Sequence, residues 1–563
     1  MTDYKTLNRD EVLSSLPPVT AKDVRSQTRQ ELSASNKAPI LVILDDDPTG
    51  TQTCHDINIL TVWGVQRLVS EFEQTKPGGG FFILTNSRAL HPQQAKELII
   101  EICTNLQAAA KDTHSAFEVV LRSDSTLRGH FPLEAEAAEH VLGAADAWIL
   151  CPFFLQGGRY TINDVHYVQE GSQLVPASQT PFAKDASFGY KSSNLREYVV
   201  EKTKGAVPKE RITSISLDTI RNGGIEAVYE QLLQDVNGQR PVIVINAAAD
   251  EDVDVVVAAL IKASNSGKRF LYRTGAALVS ARLGIPSIPP ITASQLNLSS
   301  NAGGLIIAGS YVPKTTAQLE TLRSKSGQDL TSIVLDVRKL LQSPEDASTE
   351  VKNALSTAET EIERGQDVLV MTSRELIVGD DEAKSLDIGS TVAKALVSFL
   401  QKLEKKPRYV IAKGGITSSD MATKGLRMNH ARIVGQAAPG VPLWRCDEPE
   451  SKWPGLSDVS YTNKQKHPSI NTTNPLPNQL TANMPSPTNN NTAHDSASMG
   501  NVGNGQIDRS EAASTTRRQQ RQQRRQTLRN QAEVAPFMGM DLGEGESGKK
   551  TDTKDEKKEK AQK

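Results

Sequence analysis

PILVILDDDPTGT, Pro39 to Thr51, is the stretch from which the rest of the chain is read. Five apolar residues, Ile40 to Leu44, predict a buried strand, and three carboxylates, Asp45, Asp46 and Asp47, follow before a Pro-Thr-Gly turn. Ligands of open α/β sheets bind at the carboxyl ends of strands. Three adjacent carboxylates repel one another, so a fold keeps them together only where cations, donors or solvent compensate, as around Mg2+ or a hydroxyl awaiting deprotonation. The plainer alternative is an acidic loop that caps the next helix.

Downstream, the pattern strand, loop, helix repeats. Apolar runs predict strands at Phe81 to Leu84, Phe117 to Leu121, Ala147 to Leu150 and Val242 to Ile245. PQQAKELIIEICTNLQAAA, Pro92 to Ala110, has the apolar spacing of an amphipathic helix with proline in its first turn, and another helix begins near Asp250. IPSIPPITASQLNLSSN, Ile285 to Asn301, has linker composition. Beyond it a second α/β run predicts strands at Leu305 to Ala308, Ile333 to Leu335, Val368 to Met371 and Tyr409 to Ala412. The fold expected is α/β, with two α/β domains whose sheets are mostly parallel and a cleft between them for the chemistry. The divisions are an extension or outer helix over 1–37, a first domain over 38–285, a linker over 286–302, a second domain over 303–461 and a tail over 462–563.

Composition narrows the function. The chain has 563 residues, enough for two or three domains, and 64 basic residues balance 66 acidic ones to a net charge of −2. No overall field draws it to nucleic acid or an anionic membrane. Cys54, Cys103, Cys151 and Cys446 are scattered without paired spacing, which argues against a zinc site or a disulfide framework and for buried small hydrophobes. No resident metal site is expected from them. No signal-like apolar run opens the chain and no membrane-length run follows, so a reducing, cytoplasmic setting is expected. After Tyr461 the residues are too polar to offset chain entropy, and the tail is expected to be disordered. Its Arg517 to Gln526 run, RRQQRQQRRQ, lacks interleaved aromatics, so nucleic acid is not an expected partner. A homodimer stays open.

Four polar clusters lie just beyond apolar runs in the first domain: Asp45 to Thr51, TNSR (Thr85 to Arg88), LRSDSTLRGH (Leu121 to His130) and PFFLQGGRYTINDVHYV (Pro152 to Val168). The third is the most specific. Arg122 and Arg128 flank Asp124, Ser125 and Thr126, and Arg159 follows the Gly157-Gly158 pair in the fourth. Guanidinium forks grip carboxylates bidentately, so a small hydroxy acid is a natural ligand. The alternative is that these arginines only neutralise Asp45 to Asp47 and Asp124. In the second domain RYVIAKGGITSSDMATKGL, Arg408 to Leu426, reads as strand, glycine turn and helix. Gly414 and Gly415 let the backbone approach a bound group, and free N–H groups at the helix start suit phosphate. GSYVPKT (Gly309 to Thr315) and GQAAPGVP (Gly435 to Pro442) accompany it, whereas the Walker A spacing is absent.

Taken in order, DDDPTG, TNSR, RSDSTLRG, PFFLQGGRYT with His166-Tyr167-Val168, GSYVPKT, KGGITSSD and VGQAAPGVPLW resemble the four-carbon acid sugar kinase family over roughly three quarters of the chain. The resemblance implies an N-terminal domain for the sugar acid, a C-terminal domain for nucleotide, and ATP-dependent phosphorylation of erythronate, threonate or 3-oxo-tetronate at the terminal hydroxyl. It implies Asp46 and Asp47 as the acidic pair, and Arg88, Arg122, Asp124, Ser125, Thr126, Arg128, Gly158 and Arg159 around the substrate. Ser310, Gly414, Gly415, Ile416, Thr417 and Gly440 match the nucleotide-binding motifs, with Mg2+ accompanying ATP. One departure stands out. Family members carry a Gly-Asn-x-Gly element after the Pro-Gly-Leu segment, and here SYTNKQKHPSINTT follows Trp453-Pro454-Gly455-Leu456 instead.

In the mechanism expected, Arg122, Arg128 and Arg159 hold the substrate carboxylate while Asp47 orients the distal hydroxyl and accepts its proton. Amides at Gly414 to Thr417, with Ser310, hold the ATP phosphates. Two rivals remain. Asp45-x-Asp47-x-Thr49 with Thr85-Asn86 and Gly379-Asp380-Asp381 matches the pattern of a haloacid-dehalogenase-type phosphatase, and the missing Gly-Asn element fits a catalytically inactive acid-binding protein.

Overall fold

The computed structural model describes residues 4–461, apart from 20–21, 186, 237, 239, 297, 299–300, 310–312, 375–376 and 378–381. Ser310, the Gly379-Asp380-Asp381 run, the Arg517 to Gln526 run and the rest of the predicted tail therefore lie outside the described residues, as does the side chain of Ile416.

Ile40–Asp45 is buried along its whole length. Leu41 and Ile43 join one hydrophobic cluster and Ile40, Val42 and Leu44 join another on the opposite face. A strand covered on both faces needs the unbroken apolar run seen in the sequence. The helix Pro92–Asp112 covers one of those faces, burying Ala95, Ile99, Ile102, Cys103, Leu106 and Ala109 along one stripe. In the order of hydrogen bonding the first half of the sheet runs Ile212–Ile215, Val242–Ile245, Ala147–Cys151, Phe270–Thr274, Phe117–Arg122, Ile40–Asp45, Gly80–Leu84 and Ile57–Leu60, all parallel. From Ile40–Asp45 the chain lays Gly80–Leu84 on one side and Phe117–Arg122 on the other. A crevice opens at such a reversal, at the carboxyl end of the central strand.

The second half contributes Val410–Lys413, Leu305–Ala308, Asp367–Thr372 and Leu330–Leu335, again parallel. The two halves share one sheet. Ile57–Leu60 pairs antiparallel with His430–Ala438, which continues through Val441–Cys446 and Leu456–Tyr461 into the second parallel set. All of this lies within one compact unit. The GQAAPGVP stretch, named in the sequence as a companion of the glycine turn, lies in this bridging hairpin, with register shifts on either side of Gly435-Gln436. The N-terminal region forms two helices, Arg9–Ser15 and Val24–Ala34. A small antiparallel sheet of Leu7–Asn8, Gln173–Pro176, Val165–Glu170 and Arg159–Ile162 carries the fourth polar cluster. No helix among the described residues is long and apolar enough to cross a membrane.

Candidate active site

Strand register brings the polar turns together. Asp45 is level with Leu84 and Arg122, and Arg122 is level with Thr274, so four strand ends open on one crevice. Asp45 is fully buried, and Arg122 reaches it through Nε at 2.6 Å while Nη2 donates to the Asp47 carbonyl at 2.7 Å. Burial raises the Asp45 carboxyl to about 7 against the pull of Arg122. Arg122 lies across Gly50, where a Cβ would collide with its guanidinium, so glycine there is a condition of the pair. The guanidinium that the sequence assigned to the substrate is thus committed to the acidic turn itself.

Asp46 and Asp47 differ in what their oxygens touch. Asp47 Oδ1 accepts the Thr49 N–H at 2.9 Å and the Thr49 hydroxyl, and its Oδ2 pairs with Arg88 Nη2. Asp46 lies 3.9 Å from Arg88 and 3.8 Å from Arg122, yet both its oxygens are buried and accept no hydrogen bond among the described residues. Such a carboxylate has room for a hydroxyl donor or a hard cation. No cluster of three or more acidic, histidine or cysteine ligands occurs among the described residues, and the unpartnered Asp46 oxygens are the donors here that suit a Mg2+.

Beside this turn the Ser123 to His130 loop gathers buried cationic side chains. Arg128 Nε donates to Asp124 Oδ2 at 2.6 Å, and Arg88 Nη1 approaches Asp124 Oδ1 at 3.6 Å. Thr126 bonds Asp124 as well, and the Ser125 carbonyl accepts from His166 Nε2 at 2.7 Å. His166 is buried and receives Thr161 Oγ1 at Nδ1, 3.0 Å away; burial lowers it to about 4, so it acts as a neutral strut. Arg159, which follows Gly158 at the start of the small-sheet hairpin, is buried with its Nε unpartnered, and burial lowers its pKa. A buried cation in that condition favours an anionic ligand.

The sequence reading passed over several neighbours. Arg273 is buried and donates to the Arg128 carbonyl at 3.1 Å. Arg273-Thr274-Gly275 after Phe270-Leu271-Tyr272 repeats the apolar-run-then-polar-turn pattern, and that signal was available. Glu134, in the first turn of Leu133–Leu142, is buried behind Asp46; burial, and then the Asp46 charge, raise it to about 7. An acidic residue in a first turn reads only as a helix-start preference. Phe182, in the 3-10 turn Pro181–Lys184, and Asp185, just after it, carry no periodic signal in the sequence.

In the second half, Val410–Lys413 ends at Gly414, whose φ of 115° favours glycine, and the helix Gly415–Asp420 begins there. Ser418 fastens the turn, its N–H to the Gly414 carbonyl and its hydroxyl to that of Ala412, both at 2.7 Å. Gly309 abuts Thr417: a Cβ on it would lie 3.0 Å from Thr417 Oγ1, so the GSYVPKT and KGGITSSD motifs meet. Gly440 sits in the bridging hairpin and donates to Gln436 Oε1 of that same hairpin. Across the crevice Asn86 Nδ2 donates to Ser419 Oγ at 2.5 Å, and Trp444 Nε1 to Thr51 Oγ1 at 3.1 Å. A Cβ on Gly415 would stand 4.0 Å from Asp47 Oδ2. The acidic turn therefore faces the glycine turn directly.

Residues 41–282 match the model of a sugar-binding N-terminal domain and residues 305–460 that of a nucleotide-binding C-terminal domain. The chain belongs to the four-carbon acid sugar kinase family. Within that family it is 25% identical, over 262 residues, to a D-erythronate kinase of Heliobacterium modesticaldum. That match takes in 46% of this chain and 53% of the relative, so about half of the relative's length is spanned. Two crystal structures share the fold. A Haemophilus influenzae protein has a TM-score of 0.52 at 17% identity, covering 75% of this chain and 96% of its own. A Salmonella typhimurium LT2 protein has a TM-score of 0.54 at 16% identity, covering 76% and 96%. In this member of the four-carbon acid sugar kinase family, the acidic turn of the sugar-binding domain and the glycine turn of the nucleotide-binding domain lie next to one another.

Proposed function

We propose that this chain is an ATP-dependent kinase that phosphorylates the terminal hydroxyl of a four-carbon sugar acid, erythronate, threonate or 3-oxo-tetronate. The observation that supports this most is Asp47 facing Gly415, because acceptor hydroxyl and phosphoryl donor must meet at one point. The name of the relative, D-erythronate kinase, agrees. Arg159 and Arg128 hold the substrate carboxylate, with Asp124, Ser125 and Thr126 lining the pocket, and Arg122 holds the acidic turn in shape. The distal hydroxyl then lies by Asp46 and Asp47. Asp47 orients it and takes its proton, and Arg88, already on Asp47, is close enough to meet charge growing on the transferred group. Amides from Gly414 to Thr417 receive the phosphates. Asp46 would hold Mg2+ on the protein side, and the ion would supply neutralisation of phosphate charge.

The phosphatase reading needs Asp45 as nucleophile, and the burial of Asp45 against Arg122 weighs against it. The test is thermal-shift screening of the three acids with and without Mg-ATP, followed by a coupled ADP-release assay. Acid-dependent ADP release is expected. Phosphate release from sugar phosphates without nucleotide would favour the phosphatase, and acid binding without ADP release would favour an inactive binding protein.

A further inference from the structure

Among its described residues the segment from Ala177 to Tyr190 holds two short 3-10 turns, and it packs on the guanidiniums of Arg128 and Arg159. The Phe182 ring centroid is 5.1 Å from Arg128 Cζ and 5.5 Å from Arg159 Cζ, so one aromatic side chain borders two cations. Asp185 is shaped toward the same place. Its Oδ1 accepts the N–H groups of Ser187 at 3.1 Å and Phe188 at 3.0 Å, which leaves Oδ2 on Arg128, 3.7 Å from Nη1. The turn closes because position 189 is glycine, where a Cβ would stand 2.6 Å from the Asp185 carbonyl oxygen. Tyr190 then ties the segment to the substrate loop, donating to the Thr126 carbonyl at 2.8 Å.

Arg128 thus stands between two carboxylates, Asp124 and Asp185, while Arg159 has no ion pair among the described residues. Arg128 carries both carboxylates before any ligand enters, with Arg88 also near Asp124 and Arg273 beside the same loop. A carboxylate can pair with Arg159, whereas a second negative charge brought to Arg128 meets the Asp185 carboxylate already there. We propose that Asp185 is a specificity determinant: by offsetting Arg128 it limits the pocket to a singly charged carboxylate and rejects a doubly charged phosphate of the same carbon length. Phe182 is the wall that keeps the two guanidiniums in place. The inference rests on the sugar-acid reading of this pocket and adds the class of anion that it selects.

Calorimetric titration without ATP tests it, using D-erythronate as the carboxylate and erythritol 4-phosphate as the phosphate, which carries close to two charges at neutral pH. The wild-type chain is expected to prefer erythronate. Asp185→Asn, which keeps the Oδ1 bonds to Ser187 and Phe188, is expected to lower that preference about tenfold by gaining affinity for the phosphate. Phe182→Leu is expected to weaken both ligands alike. A wild-type preference for the phosphate overturns the assignment without any variant, and an unchanged ratio in Asp185→Asn overturns it while the acid pocket stands. Failure of the wild type to bind either ligand overturns the acid pocket and this inference together.

Discussion

Asp46 and Asp47 are neighbours in one turn, but their oxygens have different company, and the difference sets what each substitution does. Asp47 is bonded to Thr49 and Arg88 at the wall facing Gly415. Asp47→Asn is expected to cut turnover about a hundred- to ten-thousandfold while leaving the dissociation constant for the acid within a factor of about three, read by ADP release and calorimetry. Near-normal turnover would remove Asp47 from the chemistry. His166 gives a pH signature. Its folded pKa of about 4 lies below its ordinary 6.5, so the folded state binds fewer protons than the unfolded chain between those values. The stability this protects is complete above about 6.5 and is lost as pH falls toward 4, a difference of about 3 kcal/mol. Asp45 and Glu134, both raised to about 7, act in the opposite sense, losing stability as pH rises toward 7. The comparison must therefore be between variants: His166→Gln should lose less stability than the wild type on going from pH 7 to pH 4.5, measured by urea midpoints. Equal losses would show that His166 does not titrate as a buried neutral group.

At the scale of elements, the central strand and its turn depend on Gly50 leaving space for Arg122. Gly50→Ala is expected to push the guanidinium off Asp45, breaking a buried pair at a cost of about 3–5 kcal/mol and lowering acid binding with it. Denaturant unfolding checks the first effect, and an unchanged midpoint would mean that the loop moves instead. The helix Pro92–Asp112 is a purely structural contrast. Ile102 is fully buried on the face opposite solvent, so Ile102→Ala should cost about 2–5 kcal/mol with the Michaelis constants unchanged in the folded fraction.

Taken as a whole, the molecule joins two parallel sets of strands in one sheet through three antiparallel pairings, Ile57–Leu60 with His430–Ala438, His430–Ala438 with Val441–Cys446 and Val441–Cys446 with Leu456–Tyr461, and the crevice spans that join. The Asn86–Ser419 hydrogen bond crosses it. Asn86→Ala removes a net interaction of about 0.5–1.5 kcal/mol, so the Michaelis constant for ATP is expected to rise roughly two- to tenfold. Acid binding measured without ATP should hold steady. A change confined to the acid instead would place Asn86 in the sugar pocket rather than across the crevice.

Much of this was legible in the linear chain because buried parallel strands need unbroken apolar runs, and the residues that follow such runs must lie at the carboxyl edge. Ile40 to Leu44, the runs at Phe81, Phe117 and Leu305, and the polar turns after them declare themselves locally, as does the glycine turn at Gly414 and Gly415. What stayed hidden depended on residues far apart in sequence. Nothing near Ile57 announces a partner at His430, nor does Arg122 reveal that its guanidinium turns toward Asp45 rather than toward a ligand. Asp185 reaches Arg128 only through a turn with no periodic pattern. Local propensity and hydrophobic period specify elements and the order of their ends, whereas the partner of a buried charge is chosen by folding, which alone brings the competing groups within a few ångströms.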